Sequence, residues 1–339
     1  MAHIVAVSEQ SLRYAADLIK AGDLVAFPTE TVYGLGANAF DERACARIFT
    51  VKRRPSFDPL IVHIADFSTL DRIIDRSALN AATEKTMHTV ISSLWPGPLT
   101  LVLPKHASIP PIVTSGLSTV AVRMPSHPVA QQLIRLSTGA IAAPSANRFG
   151  FLSPTTPQHV EESLGTDLVL ILDGGHTTVG VESTILDLSE DSPHLLRPGG
   201  ISREQLESLI GPVAYSGSTH KAPGQLKSHY APRTPLYMFR DIPFADGTLF
   251  LFFDSTSRDK WCEEHNIAPT DERLAVLSPH ASLEESAVNL FSVLHELDKR
   301  GAKQLYVQQV PLYGLGLAIH DRLQKASNKK KWGQTSESE

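Results

Sequence analysis

Residues 24–36, LVAFPTETVYGLG, decide the fold class because they join a short buried strand to a polar loop. The first four residues form an apolar run of strand length that Pro28 ends. The residues after Pro28 place hydroxyls, a carboxylate and glycines where α/β proteins place ligand sites. The alternative is a capped loop that leads into the next helix, with glycines that supply positive φ. This stretch alone fits both interpretations equally.

Short apolar strands alternate with helices on both sides of this stretch. We predict strands at 24–27, 60–64, 99–103, 119–123, 141–143, 168–172 and 183–188, and helices at 11–21, 41–51, 66–75, 79–93, 126–137, 157–164 and 202–209. Asp41 and Ser202 are expected to be helix N-caps. The alternation predicts an α/β or α+β fold with a mixed sheet and flanking helices.

Residues 211–235, GPVAYSGSTHKAPGQLKSHYAPRTP, interrupt this pattern because proline, glycine, serine and histidine dominate them and no period is visible. A segment of ~25 residues without regular structure is uncommon unless it has a function. After it, strands at 248–253, 274–276 and 304–307 and helices at 256–265 and 282–300 predict a smaller α/β unit. We therefore predict a first domain over 1–210, a linker over 211–235, and a C-terminal domain over 236–339 with a disordered tail from about 328.

The composition excludes several classes of protein. Hydrophobic residues make up 42% and charged residues 20% of the chain, as in ordinary globular proteins. No apolar run approaches the ~18–20 residues of a membrane-spanning helix, and the N-terminus lacks the pattern of a secretory signal. Cys45 and Cys262 are too few for a disulfide framework or a cysteine-rich zinc site. A reducing cytoplasm is the expected setting.

Two basic runs stand out against a formal net charge of -5, which argues against nonspecific coating of nucleic acid. Residues 329–331 are expected to be part of a solvated tail. In Lys52-Arg53-Arg54, the first and third side chains point to one side if the chain is extended as it approaches Pro55. Such a pair suits a polyphosphate, whereas the alternative is a solvated basic loop.

Other candidate residues follow or end predicted strands. Ser145 and Asn147 lie two apart and could both bind phosphate oxygens, although local turn chemistry also explains them. Arg123 ends a strand, where it could clamp a carboxylate or form an internal salt bridge. His63 lies inside an apolar strand, where a histidine is more often a core residue than a ligand.

Several familiar sites have no counterpart in the sequence. Residues 34–39, GLGANA, fit a dinucleotide-binding pattern only loosely, because six residues separate them from the strand. There is no P-loop motif, no cluster with metal-ligand spacing, and no set of nucleophile, base and orienting residue. The residues therefore favour positioning and charge stabilisation over covalent catalysis.

The order of these motifs resembles one family. Lys52-x-Arg54 and Ser145-x-Asn147, preceded by PTETVYGLG and followed by SPT, VESTI and LLRPGG, are similar to the YrdC-like domain of threonylcarbamoyl-AMP synthases over about residues 8–206. The stretch SHYAP at 228–232 and the trailing α/β unit are similar to the long, two-domain form of these enzymes. The resemblance implies a twisted mixed sheet with a large positive concavity and flanking helices, followed by a smaller Rossmann-like α/β domain.

The resemblance also implies a reaction. L-threonine, bicarbonate or CO2, and ATP would give threonylcarbamoyl-adenylate and pyrophosphate. A partner transferase would then move the threonylcarbamoyl group to the adenosine beside the anticodon of tRNA. ATP would be a substrate accompanied by Mg²⁺, with no tightly bound metal held by the protein, no membrane contact, and at most weak contact with RNA.

Site residues follow from the same resemblance. The central polar set would be Lys52, Arg54, Ser145 and Asn147. L-threonine would contact Thr31, His63, Arg123, Ala143 and Ser183. ATP would contact Arg54, Asp58, Thr119, Ser145, Ser153, Arg197 and Tyr230. Because Tyr230 lies in the linker, the linker would fold over the site as a lid. Relatives often carry asparagine in place of Asp58, and a carboxylate there would repel polyphosphate unless it pairs with a cation.

Two rival interpretations stay open at this point. Carbamoyl transfer of the hydrogenase-maturation type uses a related domain, but this chain lacks the zinc-finger and acylphosphatase-like segments of that form. An RNA-binding module that uses the same basic concavity is the alternative from another class. The negative net charge counts against it modestly.

Overall fold

Two sheets organise the chain in the computed structural model, which describes residues 3–216, 222–226, 228–239 and 246–328. The first is a mixed sheet of eleven strands and the second a parallel sheet of four. This architecture confirms the predicted fold class. The predicted disordered tail lies outside the described residues from 329 onward.

The first sheet runs through residues 3–215 in the order β1-β8-β2-β3-β7-β4-β6-β5-β9-β10-β11. Its strands are β1 (His3–Ala6), β2 (Val25–Phe27), β3 (Gly34–Asn38), β4 (Ile61–Ile64), β5 (Leu99–Pro104), β6 (Thr119–Arg123), β7 (Ala140–Ala142), β8 (Leu170–Asp173), β9 (Thr184–Asp187), β10 (His194–Arg197) and β11 (Ala214–Tyr215). The sheet is mixed because parallel pairs such as β4 with β6 alternate with antiparallel pairs such as β4 with β7.

Six α-helices flank this sheet: α1 (Glu9–Lys20), α2 (Glu42–Lys52), α3 (Ala81–Leu94), α4 (Pro128–Leu136), α5 (Pro157–Leu164) and α6 (Arg203–Ile210). The predicted N-caps are confirmed, since Asp41 accepts from two backbone amides of α2 and Ser202 forms a capping box on α6. The helix predicted at 66–75 is a 3₁₀-helix over Phe67–Arg72. Buried apolar side chains form two clusters, which take alternate residues of the same strands and so cover both faces of the sheet.

The glycine-rich end of the opening stretch is a strand, which corrects its interpretation as a loop. Strand β3 pairs antiparallel with β2. A Cβ atom on Gly36 would lie 2.8 Å from carbon atoms of both Phe27 and Ile141. Gly36 is therefore required for close packing of the sheet, and not for a positive φ as the alternative interpretation supposed.

The second unit is built on β12 (Leu236–Met238), β13 (Thr248–Phe252), β14 (Leu274–Val276) and β15 (Gln304–Val307), in the order β12-β15-β13-β14. Helices α7 (Ser255–His265), α8 (Leu283–Lys299) and α9 (Gly316–Ser327) accompany it. Its core also includes Val32, Leu152 and Val181 of the first unit, which is the part of the chain that carries the eleven-stranded sheet. The two units therefore share a hydrophobic contact, and this contact positions α9 beside the candidate site.

The segment between the units is only partly irregular, since β11 pairs parallel with β10 inside the predicted linker. None of the helices in the described ranges is long and apolar enough to cross a membrane.

Candidate functional site

Buried polar side chains line one pocket, which encloses a cavity of about 50 Å³. Its wall combines strand ends of the first sheet, the loops next to them, and four residues of the segment between the units: Pro223, Gly224, His229 and Tyr230. Nine of the predicted site residues are in this wall: Thr31, Arg54, His63, Arg123, Ala143, Ser145, Ser183, Arg197 and Tyr230. The structure thus brings together residues that are far apart in the sequence.

The pairing of residues between neighbouring strands positions the polar side chains on one side of the pocket. His63 on β4 pairs directly with Arg123 on β6, and Arg123 pairs with Thr100 on β5. The Thr100 hydroxyl lies 2.8 Å from the Ser183 hydroxyl. Because paired residues of neighbouring strands point to the same face, these polar groups lie side by side.

Arg123 is held by a carboxylate that the sequence analysis did not select. Its Nη2 lies 2.6 Å from Glu30 Oε1, and its Nη1 donates to the Thr31 hydroxyl at 2.9 Å. Both alternatives for Arg123 are therefore compatible with the geometry, since it forms an internal salt bridge and also faces the pocket.

Lys52 and Arg54 converge by a route other than the predicted extended chain. Lys52 is the last residue of α2, and Arg53 follows in the left-handed conformation with φ 52°. The Lys52 amine donates to the backbone carbonyl of Ser145 at 2.5 Å and also to that of Asn147. The helix end thereby ties itself to the 145–147 loop, and the amine lies behind the wall.

Burial lowers the pKa of Lys52 well below its ordinary value, and the charge of Arg54 lowers it further. Arg54 itself lies in the wall, where its Nη2 contacts Asp58 Oδ2 at 2.9 Å and donates to the Pro59 carbonyl at 2.8 Å. Asp58 lies outside the wall and pairs with this cation, which is the pairing that a carboxylate at this position was expected to need.

The remaining predicted residues lie outside the wall as well. Asn147 is buried and donates to the carbonyls of Arg148 and Phe151, which fixes the loop that presents Ser145. The Ser153 hydroxyl donates to the Glu182 carboxylate at 2.5 Å. Thr119 is the first residue of β6. It lies at the end of this strand away from the pocket, because Arg123 at the other end is in the wall.

The segment between the units covers the pocket with Tyr230. This residue is 2% exposed and has φ 60°, a conformation that is uncommon for a bulky residue. Gly224 packs closely against its hydroxyl, because a Cβ atom there would lie 2.6 Å from that oxygen. The His229 ring contacts both Phe149 and Tyr230. Together these contacts hold Tyr230 against the pocket.

Two further charged residues were missed by the sequence analysis. Glu182 lies in the wall, and Arg322 on α9 binds it from behind with Nε 2.7 Å from Glu182 Oε2. Glu182 belongs to the quoted VESTI motif, so its position was visible. Nothing around Arg322 in the sequence marks it as a site residue.

The pocket keeps its histidines neutral and its tyrosine protonated. Burial lowers the pKa of His63 to about 3, and the positive charge of Arg123 acts in the same direction. Burial lowers the pKa of His229 well below its usual range, as does Arg54. Burial raises the pKa of Tyr230 to about 12. Burial also lowers the pKa of Arg197, which donates to the Ser183 carbonyl at 2.8 Å.

The carboxylates around the pocket do not form a metal centre. Each of the three is ion-paired with an arginine: Glu30 with Arg123, Asp58 with Arg54, and Glu182 with Arg322. Across the described ranges, no group of three or more His, Cys, Asp or Glu side chains could hold a metal ion.

Comparisons with known proteins agree over almost the whole chain. A family model described as "Telomere recombination" matches residues 17–199, and one described as "Threonylcarbamoyl-AMP synthase, C-terminal domain" matches residues 201–328. The threonylcarbamoyl-AMP synthase of Pyrococcus abyssi is 44% identical over 332 residues, with 95% of each chain covered. Its Bacillus subtilis counterpart is 41% identical over 338 residues, with 95% of this chain and 94% of the relative covered.

A solved structure extends this similarity to three dimensions. The crystal structure of Pyrococcus abyssi Sua5 complexed with L-threonine matches with a TM-score of 0.81 at 40% identity. The match covers 96% of this chain and 97% of that chain. Both units of the fold are therefore similar to those of the Pyrococcus protein.

Proposed function

This chain belongs to the threonylcarbamoyl-AMP synthase family, and we propose that its pocket joins L-threonine, bicarbonate or CO2, and ATP into threonylcarbamoyl-adenylate with release of pyrophosphate. The enzyme is a nucleotidyltransferase. One observation carries the assignment to this pocket: three buried arginines, Arg54, Arg123 and Arg197, share a single wall with hydroxyls and a neutral histidine. A site that joins two anions needs such an excess of positive charge.

L-threonine is proposed to lie against Thr31, His63, Arg123, Ala143 and Ser183. Arg123 would clamp the carboxylate with donors that its contacts with Glu30 and Thr31 hold in place. The neutral ring of His63 adds no further positive charge beside the amino group, which must lose its protons to react.

ATP is proposed to place its phosphates near Arg54, Ser145, Arg197 and Tyr230. Four predicted residues would act from behind the wall. Asp58 would act through its ion pair with Arg54, and Ser153 through its bond to Glu182. Lys52 and Asn147 would act through the bonds of the 145–147 loop. We keep Thr119 as a predicted ATP contact, at the outer end of β6.

The proposed chemistry has two steps. The threonine nitrogen, as the free amine, attacks the carbon of CO2 and releases one proton to water, which gives a carbamate. Starting from bicarbonate, the same proton leaves together with hydroxide as one water molecule. A carbamate oxygen then attacks the α-phosphorus, the bond from that phosphorus to the bridging oxygen breaks, and pyrophosphate leaves. Arg54 and Arg197 offset the repulsion between the carbamate and the phosphates, and charge stabilisation of this kind needs no covalent intermediate with the protein.

We propose that residues 211–235 act as a lid between a catalytic domain (1–210) and a C-terminal domain (236–339). A cavity of about 50 Å³ holds only a few water molecules, so ATP enters only after the segment around Tyr230 has moved. Closure would then exclude water from a labile acyl-adenylate.

Magnesium is proposed to arrive on the phosphates of ATP. The carboxylates of this site do not fit a magnesium ligand set, because each is engaged by an arginine. The product would pass to a transferase that modifies the adenosine beside the tRNA anticodon.

Pyrophosphate release measured in bicarbonate buffer tests this function. We expect release that requires both ATP and L-threonine, and L-valine serves as the matched control because it has the same shape without the hydroxyl. Release that is equal without threonine, or no release at all, contradicts the proposal. Tight binding of RNA with a steep dependence on salt, and no catalysis, would favour the RNA-binding alternative.

A further inference from the structure

Arg322 is the bulkiest of the fully buried side chains among the residues that the structure describes. It lies on α9, in the C-terminal unit, yet it reaches the back of the pocket in the first unit. A buried guanidinium is costly unless its charge is paired and its donors are bonded. Its partners therefore indicate what this position requires.

The partners of Arg322 belong to the wall and to its support. Nε lies 2.7 Å from the Glu182 carboxylate. Nη1 donates to the Pro198 carbonyl and to Asp321, both at 2.8 Å. The guanidinium carbon lies 5.1 Å from the centre of the Tyr230 ring, which is within the range of a cation–π contact. One side chain thus contacts both a wall carboxylate and the covering tyrosine.

Glu182 creates an electrostatic problem in a pocket for phosphates. Burial raises the pKa of this carboxyl, but Arg322 and Arg197 outweigh burial and hold the pKa below its usual value. Glu182 is therefore charged at neutral pH, and an unpaired anion here would repel a triphosphate. Arg197 is itself a wall residue, whereas Arg322 is outside the wall and stays available to Glu182 when phosphate binds.

Helix α9 also binds the segment that precedes Tyr230. The Lys325 amine donates to the Gly224 carbonyl at 2.7 Å, and the His229 backbone amide donates to the Lys325 carbonyl. Phe291 of α8 packs against the Tyr230 ring at 5.9 Å between ring centres. The C-terminal unit therefore supplies the surface on which this segment rests.

We propose that Arg322 is a positioning residue for ATP, which neutralises Glu182 and supports Tyr230 so that the pocket accepts the phosphates. This inference rests on the proposed function of the pocket. It gives the C-terminal unit a definite part in the reaction, because α9 supplies the cation that pairs directly with Glu182. Arg322 does not touch substrate in this arrangement and acts through Glu182 and Tyr230.

The test compares three variants of the full chain: Arg322→Met, Arg322→Lys and the double variant Arg322→Met/Glu182→Gln. Calorimetry measures the Kd for ATP and for L-threonine separately. We expect Arg322→Met to raise the Kd for ATP at least tenfold and the Kd for L-threonine less than twofold. Arg322→Lys should lie between, since lysine keeps the charge and loses the planar fork. The double variant should return to within threefold of the unaltered protein, because no unpaired carboxylate is left and only the contact with the Tyr230 ring stays lost.

Two results would overturn the inference. One is a Kd for ATP within twofold of normal in folded Arg322→Met. The other is a double variant that still binds ATP at least tenfold more weakly. If Arg322→Met does not fold, the double variant alone decides, since it replaces the buried pair with neutral groups of similar size.

A matched control removes the same charges from a surface pair of the same unit. Arg300 Nη2 lies 2.5 Å from Glu296 Oε1. Arg300→Met/Glu296→Gln should leave the Kd for ATP within twofold of normal. If the unaltered protein neither binds ATP nor releases pyrophosphate, the proposed function fails. If it does both and the Arg322 variants bind ATP normally, only this inference fails.

Discussion

The ion pairs around the pocket and those on the helix surfaces have similar lengths but different surroundings. Around the pocket, both side chains of each pair are at most 8% exposed; the pairs are Arg54–Asp58 at 2.9 Å, Arg123–Glu30 at 2.6 Å and Arg322–Glu182 at 2.7 Å. On α1, Arg13 and Glu9 lie 2.8 Å apart and are 64% and 79% exposed. The distance between the charged atoms therefore does not distinguish the two kinds of ion pair, whereas the exposed fraction of their side chains does.

Burial changes the purpose that such a pair can serve. A buried pair gains little net stability, because removing both charges from water costs about as much as their attraction returns. Its arginine, however, is fixed and dehydrated, and so acts strongly on any anion that enters the pocket. We propose that the pocket pairs hold positive charge ready for substrate, and that their carboxylates keep the unliganded site from carrying unpaired cations.

Breaking one buried pair should produce the largest effect. Arg123→Met leaves the Glu30 carboxylate buried and unpaired, which is expected to lower the free energy of unfolding by about 3–5 kcal/mol. The same change removes the proposed carboxylate clamp, so the KM for L-threonine should rise well over tenfold. Urea denaturation and steady-state kinetics measure the two effects.

The double variant Arg123→Met/Glu30→Gln separates these effects. It should regain most of the lost stability, since no buried charge is left, while its KM for L-threonine stays high. A double variant as unstable as Arg123→Met would contradict the electrostatic origin of the loss. Recovery of normal threonine binding would remove Arg123 from the proposed clamp.

Lys52 differs from the paired arginines, because its buried amine is held by backbone carbonyls and not by a carboxylate. Lys52→Ala removes the two bonds that its amine donates to the 145–147 loop, which presents Ser145 to the pocket. We expect a loss of about 10²–10³-fold in kcat, the scale of one preorganised electrostatic contact. The far-UV circular dichroism spectrum should not change. Near-normal turnover would exclude Lys52 from the central set.

The sequence predicted the strands of the first sheet well where they are buried on both faces. Strand β6 was placed at its observed bounds, because TVAVR is apolar over most of its length and proline follows it closely. Strand β3 was missed because glycine has low strand propensity, and its packing against Phe27 and Ile141 depends on tertiary contacts. The hydrophobic pattern of a short segment does not show which residues of other strands will pack against it.

The sequence indicated which loops form the candidate site, but it did not indicate how the charged side chains around the site are paired. Residues such as Arg123 and Arg197 follow from their motifs. The partner of Glu182 lies 140 residues away on a helix that belongs to the other unit. No periodicity links two such positions, because their pairing arises only when the units pack together. Arg53 shows a second limit, since its left-handed conformation ends α2 and overturns the extended geometry assumed for Lys52 and Arg54.

A buried neutral pair at the contact between the units gives a smaller, pH-dependent effect. His159 of α5 stacks on His295 of α8 with ring centres 3.9 Å apart. Burial lowers the pKa of His159 to about 3, and the neighbouring His295 acts in the same direction. The unfolded chain therefore binds the proton more tightly, with a pKa of about 6.5. This contribution to stability is complete above pH 6.5 and is lost as the pH falls toward 3.

His159→Phe keeps a flat ring in the stack and removes the titration. The free energy of unfolding of the unaltered chain should fall between pH 7 and pH 5 by about 1–2 kcal/mol more than that of the variant. Urea denaturation at both pH values measures the difference. His63 titrates in the same direction in both proteins and cancels from the comparison. An equal pH dependence in the two proteins would show that His159 binds its proton as readily in the folded state.

The surface pair on α1 should give the smallest effect. Arg13→Gln removes an exposed pair at positions i and i+4, which is expected to contribute only about 0.3–0.5 kcal/mol to the free energy of unfolding. That small difference should vanish in 1 M salt, where screening extends over only about 3 Å. Pyrophosphate release should be unaffected, because α1 contributes nothing to the pocket wall. A loss comparable to that of Arg123→Met would mean that burial does not separate the two kinds of pair, and the role given to the pocket carboxylates would fail with it.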